Sequence, residues 1–153
     1  MIKKAVLISL ICLACFNSNA QVNWLSFEEL DSALTAAPKP VLLDFYTDWC
    51  TYCKKMDKEV FTNDEIIQGL NDSFYTVRFD AESNQSVSFD GGVFVKRENQ
   101  RFHDLALLLA TRRGEFAPPA LLFLDSSFSV KEKHLQYMSR NQLLRRIEKY
   151  CLD

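Results

Sequence analysis

The sequence predicts an α/β fold, a three-layer sandwich in which helices flank a central mixed β-sheet. Two observations lead there. Residues 41–46, Val-Leu-Leu-Asp-Phe-Tyr, are apolar except for Asp44, the pattern of a strand covered on both faces, and the spacing then turns helical. Further on, strand and helix patterns alternate until two strand patterns follow one another before a last helix, an order that a mixed sheet accommodates.

At 153 residues the chain has the size of one domain, large enough to bury a core without disulfide staples. Residues 1–20 read as a leader outside the fold. Lys3 and Lys4 supply its basic start, residues 5–16 an apolar run too short to span a bilayer, and Ser18-Asn19-Ala20 a small-x-small cleavage site. The domain then occupies residues 21–153. Cys15, behind Leu13-Ala14, raises a lipid anchor as the other outcome, disfavoured because Cys12 and Leu13 fit such a signal poorly. Removing Lys3 and Lys4 from 18 basic side chains leaves 16 against 20 acidic ones, a net charge of −4 that argues against a nucleic-acid surface.

Within residues 22–37, Ser26-Phe27-Glu28-Glu29 announces a helix by a capping box, with Leu30, Ala33 and Leu34 facing inward. Pro38 and Pro40 end it and launch the strand 41–46. Beyond Cys50, the side chains of Cys53, Met56 and Val60 share one helical face, while Lys54, Lys55 and Lys58 turn to solvent. Thr62-Asn63-Asp64-Glu65 starts another helix, with Ile66, Ile67 and Leu70 on its apolar side, and residues 74–79 read as the next strand. Residues 87–89 and 93–95 flank Asp90-Gly91-Gly92, which predicts an inserted β-hairpin around residues 86–96, because type I′ turns need residues that tolerate positive φ. The insertion is either a structural flap or a contact surface for a partner. Residues 102–112 have helical spacing at Leu105, Leu108 and Leu109, stopped by Gly114. Pro118 and Pro119 stand directly before the apolar strand 120–124, and residues 130–137 supply the last strand. Ser139-Arg140-Asn141-Gln142 caps a terminal helix whose inward stripe is Leu143, Leu144, Ile147 and Cys151, the cysteine as a small core hydrophobe. His103 and His134 read as surface or polar-tip residues.

The chemistry sits where the strand 41–46 meets its helix. Cys50 falls at the first turn, where unpaired backbone N–H groups and the positive end of the helix dipole stabilise a thiolate, so it is the expected nucleophile. Cys53, one turn in and expected to be more buried, is the partner that closes or resolves a disulfide. The readings that compete are a purely structural disulfide and half a zinc site. A bond across one helical turn constrains little of the unfolded chain, and Cys151, His103 and His134 lie in unrelated elements that offer no second half for zinc. A buried Asp44 is costly unless paired or protonated, which suggests a task; the plain reading is a strand-end acid reaching water.

The segment Asp44-Phe45-Tyr46-Thr47-Asp48-Trp49-Cys50-Thr51-Tyr52-Cys53-Lys54 resembles the active-site segment of the thioredoxin superfamily. The residues after it are similar to exported bacterial thioredoxin-like proteins and to the periplasmic thioredoxin-like domain of the membrane reductant conductor DsbD. The resemblance implies a thioredoxin-like sandwich, with Asp44 relaying the proton of Cys53 and Trp49 shielding the pair and forming substrate surface. It also implies a cis peptide bond at Pro119, the residue aligned with the family's cis-proline. Pro118 departs from what is expected of a substrate-binding position, since proline has no N–H to give a bound peptide. No histidine lies between the cysteines to hold a thiolate by charge, which points to the reducing or intermediate end of the potential range.

The function expected is that of an exported, periplasmic thiol-disulfide oxidoreductase, most simply a disulfide reductase and a monomer. It would need no metal or organic cofactor, act on disulfide-bearing proteins, and draw electrons from another protein such as a DsbD-like membrane donor. The same pair run in reverse would make an oxidase or isomerase. A non-catalytic binding module on the same fold is the reading from a different class.

Overall fold

A computed structural model describes residues 21–152; the leader read at residues 1–20, with Cys12 and Cys15, lies outside them. In chain order the first half contains β1 (Trp24–Leu25), α1 (Phe27–Ala36), β2 (Val41–Tyr46), α2 (Thr51–Glu59), α3 (Asp64–Ser73) and β3 (Tyr75–Asp80). The second half contains β4 (Val87–Phe89), β5 (Gly92–Phe94), α4 (Asp104–Leu109), β6 (Ala120–Leu124), β7 (Val130–His134) and α5 (Arg140–Leu152). Five strands form a mixed sheet in the order β1-β3-β2-β6-β7, with β1, β3 and β2 parallel and β6 and β7 antiparallel to their neighbours. The α/β class and the flanked mixed sheet are as the sequence predicts. No helix among the described residues is long and apolar enough to cross a membrane.

Alternation along β2 divides the core. Val41, Leu43 and Phe45 point to the layer of α1 and α4, where Phe27, Leu30, Leu105 and Ala106 are buried. Leu42 points the other way, to Met56 and Val60 of the α2 segment and to Ile66, Leu70, Leu143 and Ile147 of α3 and α5. Asp44 follows the parity of Leu42 and so belongs to the face covered by α2. Cap chemistry behaves as read: Ser26 and Glu29 form both halves of the capping box, and the Asn63 side chain accepts from Ile66 N–H at 3.1 Å.

One strand is added and three expectations change. β1 has only two residues, too few to show a period; it exists because Thr76 and Val77 of β3 offer a free edge for Trp24 and Leu25. The hairpin forms, with Asp90 at φ 49° and Gly91 at φ 70°, yet Gly92 belongs to the strand, paired with Phe89. α4 is shorter than residues 102–112 because the chain enters a tight turn with Arg113 at φ 55° and Gly114 at φ 84°, and Leu108 lies 64 % exposed. Cys151 is exposed rather than in the core, its Sγ 3.0 Å from Ser73 Oγ, since the stripe of α5 that touches the sheet ends near Ile147 and Tyr150.

Candidate active site

The turn after β2 is closed by Cys50 N–H donating to the Thr47 carbonyl at 3.1 Å, and this delivers Cys50 as the N-cap of α2. Its sulfur accepts from the backbone N–H of Cys53 at 3.0 Å, doing for this helix what a serine or aspartate oxygen does for others. Cys50 and Cys53 are joined by a disulfide, with Cα atoms 5.3 Å apart. The sequence led us to expect Cys53 to be the more buried. In the structure they are buried alike, 4 % and 3 % exposed, because the bond holds both side chains at one spot. What distinguishes Cys50 is therefore not exposure but the N–H group aimed at it and its place at the helix mouth. Its sequence neighbours Trp49 and Tyr52 are 50 % and 59 % exposed.

Asp44 is 3 % exposed and does not reach water as a strand-end acid would. Its register partner on β3 is Arg78, whose Nε lies 3.6 Å from Asp44 Oδ2. The same guanidinium makes a bidentate pair with Asp57 of α2, with Nη2 donating to Oδ2 at 2.8 Å and Nη1 to Oδ1. It also stacks on the Tyr46 ring at 4.4 Å. Desolvation pushes the Asp44 carboxyl up to about 7; Arg78 opposes the rise and the Asp57 charge adds to it. An acid with that value can hold or release a proton near neutral pH. Sequence reasoning found Asp44 and missed Arg78 and Asp57. The available signal was an arginine inside an otherwise apolar strand pattern, but only the β2–β3 register sets it beside Asp44.

The Pro118–Pro119 peptide bond is cis. Ala120 pairs with Phe45, so this dipeptide lies at the end of the sheet where β2 runs out towards Cys50. Pro119 is buried and Pro118 half-buried. Phe116, two residues before Pro118, packs on Phe45 at 6.4 Å and on Phe102 at 4.7 Å.

The insertion is docked rather than free. Phe89 packs against Phe27 of α1 at 5.4 Å and Phe128 at 4.6 Å, and Ser88 N–H donates to Glu28 Oε1 at 3.2 Å. Its ends meet where His103 N–H donates to the Ala81 carbonyl at 2.7 Å. His103 itself corrects the sequence reading. It is fully buried, with Nδ1 accepting from Leu105 N–H at 3.2 Å as the cap of α4 and Nε2 3.1 Å from the Gln85 carbonyl. An Nδ1 that accepts leaves the proton on Nε2, and one neutral tautomer satisfies both contacts. Desolvation, the largest effect, pushes its pKa below 6.5. The unfolded chain therefore takes up a proton first as pH falls, and His103 stabilises the fold less at acid pH. In urea unfolding between pH 7.5 and 5, the stability margin of the parent over His103→Asn is expected to shrink as pH drops through about 6.5; a constant margin would contradict the buried neutral ring. His134 is half-buried beside Glu132, Nε2 to Oε2 3.2 Å. Among the described residues, no group of three or more His, Cys, Asp or Glu side chains is placed to hold a metal ion.

Comparison with known proteins adds three findings. A family model described as a thioredoxin-like domain matches residues 27–150. The thiol:disulfide interchange protein DsbD of Ralstonia nicotianae is 36% identical over 104 residues, 66% of this chain and 14% of that protein; DsbD 1 of Pseudomonas aeruginosa is 37% identical over 99 residues, 62% and 13%. The chain thus spans about one-seventh of the length of these relatives. Among solved structures, the reduced C-terminal domain of Neisseria meningitidis DsbD superposes with a TM-score of 0.54 at 25% identity over 80% of this chain and 91% of that one. A thioredoxin from Thermus thermophilus reaches 0.62 at 16% identity over 86% and 88%, a likeness of fold.

Proposed function

Because the chain belongs to the thioredoxin-like domain family, we propose that it is an exported thiol-disulfide oxidoreductase that reduces protein disulfides with Cys50 and Cys53. The observation that carries the reading is the N-cap geometry of Cys50, with the Cys53 N–H directed at its sulfur. In the reduced protein that N–H and the helix dipole stabilise a Cys50 thiolate. The thiolate attacks one sulfur of a substrate disulfide, forming a mixed disulfide and expelling the other sulfur as a thiolate that takes up a proton. Asp44 then accepts the proton of Cys53, and the Cys53 thiolate attacks Cys50 Sγ. That attack breaks the bond between Cys50 and the substrate, whose second sulfur leaves as a thiolate and takes up a proton; the substrate has gained two electrons, and the protein that gave them is left with the Cys50–Cys53 disulfide, the form in this structure.

Trp49 and the Pro118–Pro119 loop would form the walls along which a substrate peptide lies, with one backbone hydrogen bond fewer because Pro118 has no N–H. A reducing direction is favoured by the absence of a histidine in Thr51-Tyr52. Resetting the pair requires a second protein dithiol, and the relation to DsbD suggests a membrane donor of that kind. The leader pattern read at residues 1–20 supports action outside the cytoplasm, in the periplasm.

The test is a trap. Mature Cys53→Ser protein, mixed with insulin, is expected to accumulate a covalent adduct that dithiothreitol releases, while Cys50→Ser protein forms none. Absence of adduct from both variants would leave a non-catalytic binding module as the reading.

A further inference from the structure

The C-terminal end of the insertion reaches back to the redox pair. The Trp49 indole donates from Nε1 to Glu82 Oε2 at 3.0 Å, and the other Glu82 oxygen accepts from Arg101 Nε at 2.9 Å. The Arg101 guanidinium then lies over the face of the same indole, 4.6 Å from its centroid, and 5.2 Å from that of Phe102. Phe102 packs on Phe116, which leads into the Pro118–Pro119 loop. One arginine thus ties the tryptophan beside Cys50, through Phe102 and Phe116, to the opposite wall of the site. Lys96 fixes the base by donating to the Glu82 carbonyl at 2.7 Å.

We propose that Arg101 is a positioning residue for Trp49 and thereby sets the preference of the exchange site for protein over small disulfides. The proposal rests on the oxidoreductase reading above. Trp49 keeps half of its surface exposed although its ring edge and one face are occupied, so it is a fixed platform and not a closed lid. An indole free to turn must be ordered when a partner docks, which weakens binding; one already held does not. A small disulfide that meets only the sulfur has no use for the platform. Steering by charge would give a different signature, because the Arg101 side chain, 62 % exposed, is already paired with a carboxylate. Lysine would keep the charge but lose the planar face and the Nε donor.

The experiment compares the parent, Arg101→Ala and Arg101→Lys by NMR and by kinetics. In both variants the Trp49 indole proton is expected to exchange with water about fivefold faster, with Trp24 unchanged as the internal control for folding. With insulin as substrate, KM is expected to rise about fivefold at constant kcat, while the rate with neutral hydroxyethyl disulfide stays unchanged. Unchanged indole exchange, an equal loss on both disulfides, or full rescue by Arg101→Lys would each overturn the proposal. If the parent reduces neither disulfide, the oxidoreductase reading fails, and indole exchange still decides whether Arg101 holds Trp49.

Discussion

Cys50→Ser protein is expected to reduce insulin no faster than the uncatalysed background, a loss of at least about a thousandfold. A serine hydroxyl stays protonated at neutral pH and cannot form the mixed disulfide through which the electrons pass in the proposed mechanism. The fold should survive. Serine is a good N-cap, and its oxygen can accept the Cys53 N–H that the Cys50 sulfur accepts now. Removing a bond with a sequence separation of 3 gives the unfolded chain little added freedom, costing about 2 kcal/mol. Insulin turbidity and thermal unfolding, measured on the same preparation, separate the two effects. Reduction at the parent rate would end the proposed mechanism, and a protein that no longer unfolds cooperatively would contradict the N-cap argument.

Asp44→Asn should move both the pH profile and the stability curve. In the proposed mechanism the carboxylate acts as general base for Cys53 in the second step, so the variant is expected to hold the mixed disulfide and turn over on the order of a hundredfold more slowly at pH 7. The stability effect has the opposite direction. The folded carboxyl titrates at about 7 against a reference of 3.8, so the folded state binds a proton through that interval that the unfolded state has lost. The contribution of the protonated acid is therefore complete below about pH 4 and disappears as pH rises to about 7. Its full size is on the order of 4 kcal/mol. Asparagine does not titrate, and the oxidised variant should gain on the oxidised parent across that window and be the more stable protein at pH 8. His103 acts with the opposite sign in part of the same range, which is why the comparison is made between variant and parent at each pH. A stability difference independent of pH would show that Asp44 ionises normally, and unaltered turnover would remove it from the mechanism.

Much of the fold was legible because its signals are local. The strand at residues 41–46, the Ser26 capping box and the Asp90-Gly91 turn each depend on side chains within a few residues of one another. Cys50 as N-cap follows in the same way from the change of period behind it. The misreadings have a common cause. His103 looked like a surface residue because nothing near it in sequence shows that the insertion closes over it through Gln85. Cys151 continued the apolar spacing of α5, but its neighbour Tyr150 takes the place against Phe123 of the sheet and leaves the cysteine exposed beside Ser73.

The chain by itself determined the elements, their caps and the placement of two cysteines at a helix mouth, since helical period and hydrogen-bonding side chains act over one or two turns. Only the tertiary structure decided which charges surround them. Arg78 meets Asp44 through strand register and Asp57 through helix packing 21 residues away, and the Trp49 indole meets Glu82 33 residues on. Such contacts depend on how separate elements are set against one another, and a desolvated carboxyl acquires its proton affinity from that arrangement.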